Sequence, residues 1–351
     1  MAAKSSSPVL GALCQASHPK KSANSEEKDQ DSAGPKVSDD QRITAADVSS
    51  PQAWTISVGY RFQPSSRHFV GDVEQKQREV IHNQIQNVAH LFDIGIERQV
   101  SRRFAASVSI PLVFEYRNQL YNPRGVYRVH GVGDVTVGGR YWLFRPPTEN
   151  GGNVAIGVSL KIPTGKDDAT GHALDARGNP VIAVADQSIQ AGDGGWGFSV
   201  DLQAYRPLAL GTMGYVTGSY LFNPMNTNGV STGRTTRDAT VMSVSDQFLA
   251  RVGFARAIPQ IPGFIVTMGG RMEGVPVRDM IGGSDGFRRP GYAISGDPGF
   301  LLAIKGNVFS CNVPWAIYRK RPRSVPDLLN GSNGDAAFAD YLVTIGFSRR
   351  F

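Results

Sequence analysis

The amino-acid sequence predicts an all-β chain: a transmembrane, antiparallel up-and-down β-barrel of about twelve strands with a disordered N-terminal tail. Three observations carry this. Long segments alternate large apolar residues with small or polar ones at period two. The connections between them alternate between short and long. No stretch reaches the roughly 18 consecutive apolar residues that a membrane-spanning helix requires.

The chain divides at about residue 50. Residues 1–50 carry six Lys/Arg and seven Asp/Glu, a net charge of −1, which leaves +8 for residues 51–351. From 17 to 50 the segment is Ser, Lys, Asp, Glu and Gln with almost no large apolar residue. It cannot bury enough surface to offset the entropy of ordering, so it is expected to be disordered. Its first residues make a weak export signal: Lys4, then Val9-Leu10-Gly11-Ala12-Leu13, then Cys14-Gln15-Ala16. That apolar core is shorter than the roughly 7–15 residues of an ordinary signal peptide. The signal is therefore either atypical or upstream of Met1. Cys14 and Cys311 stand too far apart in sequence and context to suggest a disulfide framework or a metal site.

The barrel segment, 51–351, opens with Trp54-Thr-Ile-Ser-Val-Gly-Tyr-Arg-Phe62, where every even position is large and apolar. In the third strand Phe104, Ala106, Val108, Ile110, Leu112, Phe114 and Tyr116 share a face. In the fifth, Val154, Ile156, Val158, Leu160 and Ile162 do so. The same reading places strands at 53–63, 87–98, 103–116, 134–144, 152–162, 195–206, 212–223, 244–256, 263–274, 292–304, 307–318 and 337–351. Pro111, Pro298 and Pro314 lack a ladder donor, and a closed barrel has no edge to hide them on, so bulges are expected there. Turns after even-numbered strands are short, such as Gln99–Arg102 and Lys305–Gly306. Loops after odd-numbered strands are long, such as Pro64–Gln86, Pro163–Gly194 and Val275–Gly291.

In a membrane barrel the apolar face points outward to lipid. Phe104 to Tyr116 spans twelve residues, ~40 Å of strand at ~3.3 Å each. Tilted by ~45°, it covers ~28 Å of membrane, close to the ~25 Å apolar band of such barrels. Aromatic residues end these faces in pairs: Trp54 and Phe62, Phe104 and Tyr116, Tyr341 and Phe351. The opposite face carries Arg61, Asp93, Glu97, Glu115, Arg140, Lys161, Asp201, Arg251, Arg271 and Glu273, both signs interspersed. These are the expected lumen-lining residues, and buried charges of that kind require partners.

The last strand puts Tyr341, Val343, Ile345, Phe347 and Phe351 on one face. It resembles the C-terminal recognition strand of outer-membrane proteins, which implies handling by the barrel-assembly machinery. Arg349 departs from that pattern. Three further stretches are Gly131-Val-Gly-Asp134 leading into Val135–Phe144, Leu160-Lys-Ile-Pro-Thr-Gly-Lys166, and Asp186-Gln-Ser-Ile-Gln-Ala-Gly-Asp-Gly-Gly-Trp196-Gly-Phe198. Together they resemble the outer-membrane barrel family of the meta-pathway of phenol degradation. The resemblance covers roughly residues 53–351. It implies a Gram-negative outer membrane and uptake of aromatic or hydrophobic compounds; the disordered tail departs from the family's pattern, and the even strand count puts it on the short-turn, periplasmic side.

Other chemistries find little support. The excess positive charge is spread over turns and alternate strand positions, which argues against nucleic acid. Pro163-Thr-Gly-Lys166 lacks phosphate-loop spacing. Asp167, Asp168, Asp175, Asp186 and Asp193 could gather a divalent cation but read better as solvated loop acids. The six histidines form no metal-binding spacing, so neither metal nor cofactor is expected. No Ser–His segment suggests an enzyme. The expectation is a passive, porin-like transport protein with a narrow polar lumen, whose cargo is small or leaves laterally. Its rivals are an outer-membrane hydrolase and an adhesive barrel acting through its long loops.

Overall fold

The computed structural model describes residues 52–119, 125–145, 151–175 and 177–351. The expected disordered tail, 1–50, lies outside them. The described residues form a closed antiparallel barrel of twelve strands. These are β1 (Trp54–Val70), β2 (Ile85–Gln99), β3 (Phe104–Gln119), β4 (Gly125–Val132, resuming as Val135–Trp142), β5 (Asn153–Ile162) and β6 (Gly197–Pro207). They continue as β7 (Thr212–Phe222), β8 (Gln247–Ala257), β9 (Phe264–Val275) and β10 (Gly291–Gly296, resuming as Gly299–Ile304). The last two are β11 (Asn307–Asn312, resuming as Trp315–Lys320) and β12 (Ala336–Ala339, resuming as Val343–Arg350). Each strand pairs with its sequence neighbour, and β12 closes on β1 from Thr55↔Arg350 to Phe62↔Val343. Trp54 and Phe351 exchange main-chain hydrogen bonds at 3.3 and 2.9 Å.

The period-two pattern becomes the two sides of the wall. On the outside, Val158, Val252, Phe254 and Met268 are each more than half exposed. Their in-strand neighbours Ser159, Gly253, Ala255 and Thr267 are buried. His90 also lies on the outer wall, where its ring packs near Phe62 and its Nδ1 pairs with the Tyr60 hydroxyl at 2.8 Å.

Proline sets the irregularities, though not always on its own strand. Pro298 and Pro314 interrupt β10 and β11, but without the expected bulges: the register is unchanged across both, from Gly296↔Trp315 to Gly299↔Asn312. Pro111 does not break β3; the extra residue falls on its partner, between Leu112↔Val132 and Ser109↔Thr136. That bulge at Gly133-Asp134 exchanges the two faces of β4. Even-numbered residues face outward above it and odd-numbered ones below, which is why the alternation concealed Gly125–Val132. β1 likewise runs past Pro64 to Val70, so the first long loop begins later than the sequence suggests.

Candidate functional site: a capped cavity beside a window in the wall

Most charged residues of the inner face are tied into short networks. Glu273 Oε2 accepts from Arg61 at 3.1 Å and from Arg271 at 2.7 Å. Arg140 pairs with Glu97 at 2.8 Å. Arg251 Nε donates to Asp297 Oδ2 at 2.6 Å. Ser109 donates to Asp93, and Ser199 Oγ lies 3.3 Å from Asp201. Lys161 pairs with Asp193 and, at 3.6 Å, with Asp134. Arg61, Glu115, Lys161 and Glu273 line a cavity of about 320 Å³ in the loop-side half of the barrel. Asp93, Glu97, Arg140, Asp201, Arg251 and Arg271 lie away from it.

The roof of the cavity is the loop between β5 and β6. It carries a hairpin, Thr170–Leu174 with Pro180–Val184, that extends β4 through Gly125↔Ala173. The loop then turns inward, burying Ala185, Ile189 and Ala191 against Leu91, Val113 and Val129 of the inner wall. Asp186 fixes this turn: it caps the 3-10 segment Gln187–Ile189, accepting from Ser188 N at 3.0 Å. Its carboxylate also takes two hydrogen bonds from the Arg289 guanidinium, one of them at 2.6 Å. Arg117 stands 3.4 Å away. Burial alone would raise the Asp186 carboxyl's pKa; Arg289 and Arg117 more than reverse this and hold it well below the usual range. Gln187 donates to Ser243 O, joining the roof to the β7–β8 loop. That loop is held to the β9–β10 loop by Arg288, which grips Asp279 at 2.7 and 2.6 Å and Ser243 Oγ at 2.6 Å.

The inner wall is not polar throughout. At the short-turn end Trp142, Tyr205, Met213, Tyr215, Ile265 and Leu301 point inward, all buried, and form an apolar collar. This corrects the expectation of a polar lumen along the whole barrel. Tyr205 and Tyr215 share their inward faces with polar residues, Asp201 and Gln203 in β6 and Thr217 and Ser219 in β7, so those faces did not look apolar.

Beside the cavity the wall itself is interrupted. β11 pairs with β12 from Asn307↔Arg349 to Asn312↔Thr344, and Ala316 N donates to Asp340 O at 2.9 Å. Beyond this point no ladder joins Ile317–Lys320 to Ala336–Ala339 among the described residues. Higher still, Arg321 and Gly71 exchange hydrogen bonds at 2.6 and 2.9 Å. The result is a window ~13 Å tall, at ~3.3 Å for each of four residues. Side chains stopper it. Arg319 donates from Nε to Ala339 O at 3.2 Å and from Nη2 to Asp340 Oδ1 at 2.5 Å. Its guanidinium lies 5.5 Å from the Phe69 ring centre, and Phe69 meets Phe338 edge-on at 5.8 Å. Phe338 reaches over Gly291, where an added Cβ would stand 2.9 Å from Phe338 Cζ. Phe338, Ala339 and Asp340 also line the cavity, so the window faces it. On the outside Trp315 and Ile317 are exposed. Neither the window nor its stopper carries a sequence signal, because both depend on strands far apart in the chain.

The loop acids do not converge on a cation. Asp175 caps its own turn at Asn179, Asp168 faces Lys166, and Asp186 and Asp193 are held by Arg289 and Lys161. Among the described residues no three His, Cys, Asp or Glu side chains are grouped to hold a metal.

No protein-family model matches the sequence, and no curated protein matches it. Solved structures do share its architecture. An outer membrane channel from Pseudomonas putida F1 superposes with a TM-score of 0.58 at 10% identity, over 91% of this chain and 100% of that one. The β domain of the Bordetella autotransporter BrkA gives a TM-score of 0.50 at 14% identity, over 86% and 100%. The chain therefore has the fold of a twelve-stranded outer-membrane β-barrel.

Proposed function

We propose that the protein is a passive outer-membrane channel that admits a small, largely apolar compound to the capped cavity and releases it sideways into the membrane. The observation that carries this reading is the meeting of the cavity with the unpaired stretch of β11 and β12. At about 320 Å³ the cavity suits a small organic molecule. It combines Leu91, Val275, Phe338 and Leu342 with a few polar groups, Arg61, Glu115 and Glu273 among them. The collar below narrows the axial route, so a side exit gives apolar cargo the shorter path to an apolar medium.

The exposed apolar outer wall supports residence in a lipid bilayer. The fold shared with a Pseudomonas putida outer membrane channel supports the outer membrane as that bilayer. In this orientation the short turns and the tail are periplasmic, and the long loops are extracellular. Aromatic or hydrophobic cargo is the class that the phenol-pathway resemblance implies. The ten inner-wall charges set the polarity of the lumen. Tyr341, Val343, Ile345, Phe347 and Phe351 present the assembly strand to the barrel-assembly machinery.

The test is uptake of a radiolabelled aromatic hydrocarbon by Gram-negative cells that express the chain. Expression should accelerate uptake severalfold, and Phe338→Trp, which fills the window, should abolish the gain. Uptake that is not accelerated, or that Phe338→Trp leaves untouched, would refute the lateral route.

A further inference from the structure

The two rims differ in the acids that stand beside their arginines. At the long-loop rim Arg78, Arg288, Arg289 and Arg321 each reach a carboxylate, at 2.6 Å or closer. At the short-turn rim four cations reach none among the described residues: Arg98, Arg206, Arg256 and Arg349 are all exposed, and no described carboxylate forms a salt bridge with them. The described residues of the short turns contain no Asp or Glu. Glu97, the residue before Arg98, turns into the lumen toward Arg140.

These four residues hold equivalent positions. Arg98 follows Phe92, Ile94 and Ile96 on the outer face of β2. Arg206 follows Val200 and Leu202 on β6, Arg256 follows Val252 and Phe254 on β8, and Arg349 follows Ile345 and Phe347 on β12. The guanidiniums of Arg98, Arg206 and Arg256 therefore each end an outward apolar column at the height where acyl chains give way to headgroups, and that of Arg349 stands one step before Phe351, which ends its own. Two lie against rings of the same rim: Arg98 is 5.3 Å from the Trp54 ring centre, and Arg349 is 5.0 Å from that of Phe351. Arg102, Arg145 and Lys305, also exposed, add charge in the turns between them.

We infer that this rim binds anionic phospholipid headgroups of the periplasmic leaflet, with phosphatidylglycerol as the simplest representative. Charge complementarity selects the occupant. A guanidinium matches a phosphodiester in a two-pronged hydrogen bond, and the apolar column beneath each one receives the acyl chains of the same lipid. The lipid is thus gripped at both ends by residues of a single strand. This rests on the membrane reading given above.

The experiment uses the full chain reconstituted at 0.15 M salt with spin-labelled phosphatidylglycerol and, in parallel, spin-labelled phosphatidylcholine. The motionally restricted fraction reports the lipid next to the wall. Phosphatidylglycerol should be favoured at least threefold. The quadruple variant R98Q/R206Q/R256Q/R349Q should bring the ratio near one, while R128Q/K320Q at the opposite rim leaves it unchanged. Should the quadruple variant fail to fold, R206Q and R256Q singly should each lower the ratio in part. A ratio near one in the unaltered chain would overturn the inference, as would one that survives all four substitutions. A preference that appears only after residues 1–50 are deleted would show that the chain's own acidic stretch occupies the rim, and would overturn it equally. Protein that enters no bilayer would instead overturn the membrane reading itself.

Discussion

Asp186→Asn isolates the electrostatic part of the roof. Asparagine keeps the shape of the side chain and still caps the turn at Gln187. It removes the one charge that two guanidiniums share, Arg289 and Arg117, whose side chains are 18% and 14% exposed. Stripping one partner from a buried ion pair costs about 3–5 kcal/mol. The amide oxygen can still accept one hydrogen bond, so the lower end, ~3 kcal/mol, is the appropriate figure. At ~1.4 kcal/mol per factor of ten, the ratio of docked to undocked roof should fall by roughly 150-fold. A roof that is displaced about 0.01% of the time would be displaced for one or two per cent of it. Single-channel recording in planar bilayers at pH 7 should show this as brief, larger openings whose occupancy rises about a hundredfold. Trypsin should cut at Lys166 or Arg177 in step with that rise. Because the pair is buried, raising the salt from 0.1 to 1 M should reproduce little of the effect. Identical opening statistics and identical cleavage rates would show that Ile189 and its apolar neighbours hold the roof unaided.

Glu273→Gln leaves Arg61 and Arg271, both buried, beside one another without a counter-charge. The barrel should lose about 3–5 kcal/mol, read as a lower temperature for the folded-to-unfolded shift on a denaturing gel. Gly291→Val places its Cβ 2.8 Å from Lys320 O and 2.9 Å from Phe338 Cζ. It should destabilise by about 1–3 kcal/mol, and the companion change Phe338→Ala should recover in thermal melts only the part due to the ring, because the clash with Lys320 O remains. Asp335, outside the barrel wall, is desolvated, yet its hydrogen bond to His68 and the charge of Arg78 hold its pKa down to about 2. A carboxyl whose pKa is lower in the folded state stabilises fully above ~4, its unfolded value, and this contribution fades as pH falls toward 2. The shift is worth ~2 kcal/mol. Pepsin cleavage within 321–335 should therefore accelerate between pH 4 and pH 2 in the unaltered chain, and Asp335→Asn should flatten that dependence.

The wall was legible in the sequence because lipid on one side and water or protein on the other demand opposite chemistries at alternate residues. That demand is strict in β1, β3 and β5, where the alternation of Trp54–Phe62, Phe104–Tyr116 and Val154–Ile162 could be read directly. It fails in β4, because Gly133-Asp134 inserts one residue and reverses the parity of Val126, Arg128 and His130. It fails differently at the collar, where Tyr205 and Tyr215 satisfy an inner face without being small or charged. The roof was hidden for a third reason: Ile189 is fully buried, yet its neighbours Ser188 and Gln190 are polar, and one apolar residue makes no pattern. The window was illegible in principle. It is a missing main-chain contact between segments that the chain order does not mark, set by the heights at which β11, β12 and β1 happen to stop.

The interruptions of β10, β11 and β12 lie side by side, at Asp297-Pro298, Val313-Pro314 and Asp340–Leu342. They are stitched crosswise by Val313 N to Pro298 O and Leu342 N to Pro314 O, each at 3.0 Å. In the language of fracture, the window is a slit in a cylinder under hoop tension, and a slit lengthens by parting the bond just ahead of its tip. Here the tip runs into a crease. Above the crease the flap can bend outward, and bending relieves the load that would otherwise reach the next rung. Below it the six pairs from Asn307↔Arg349 to Asn312↔Thr344 stay unloaded. A side door can widen in such a wall without unzipping the barrel toward its lower rim.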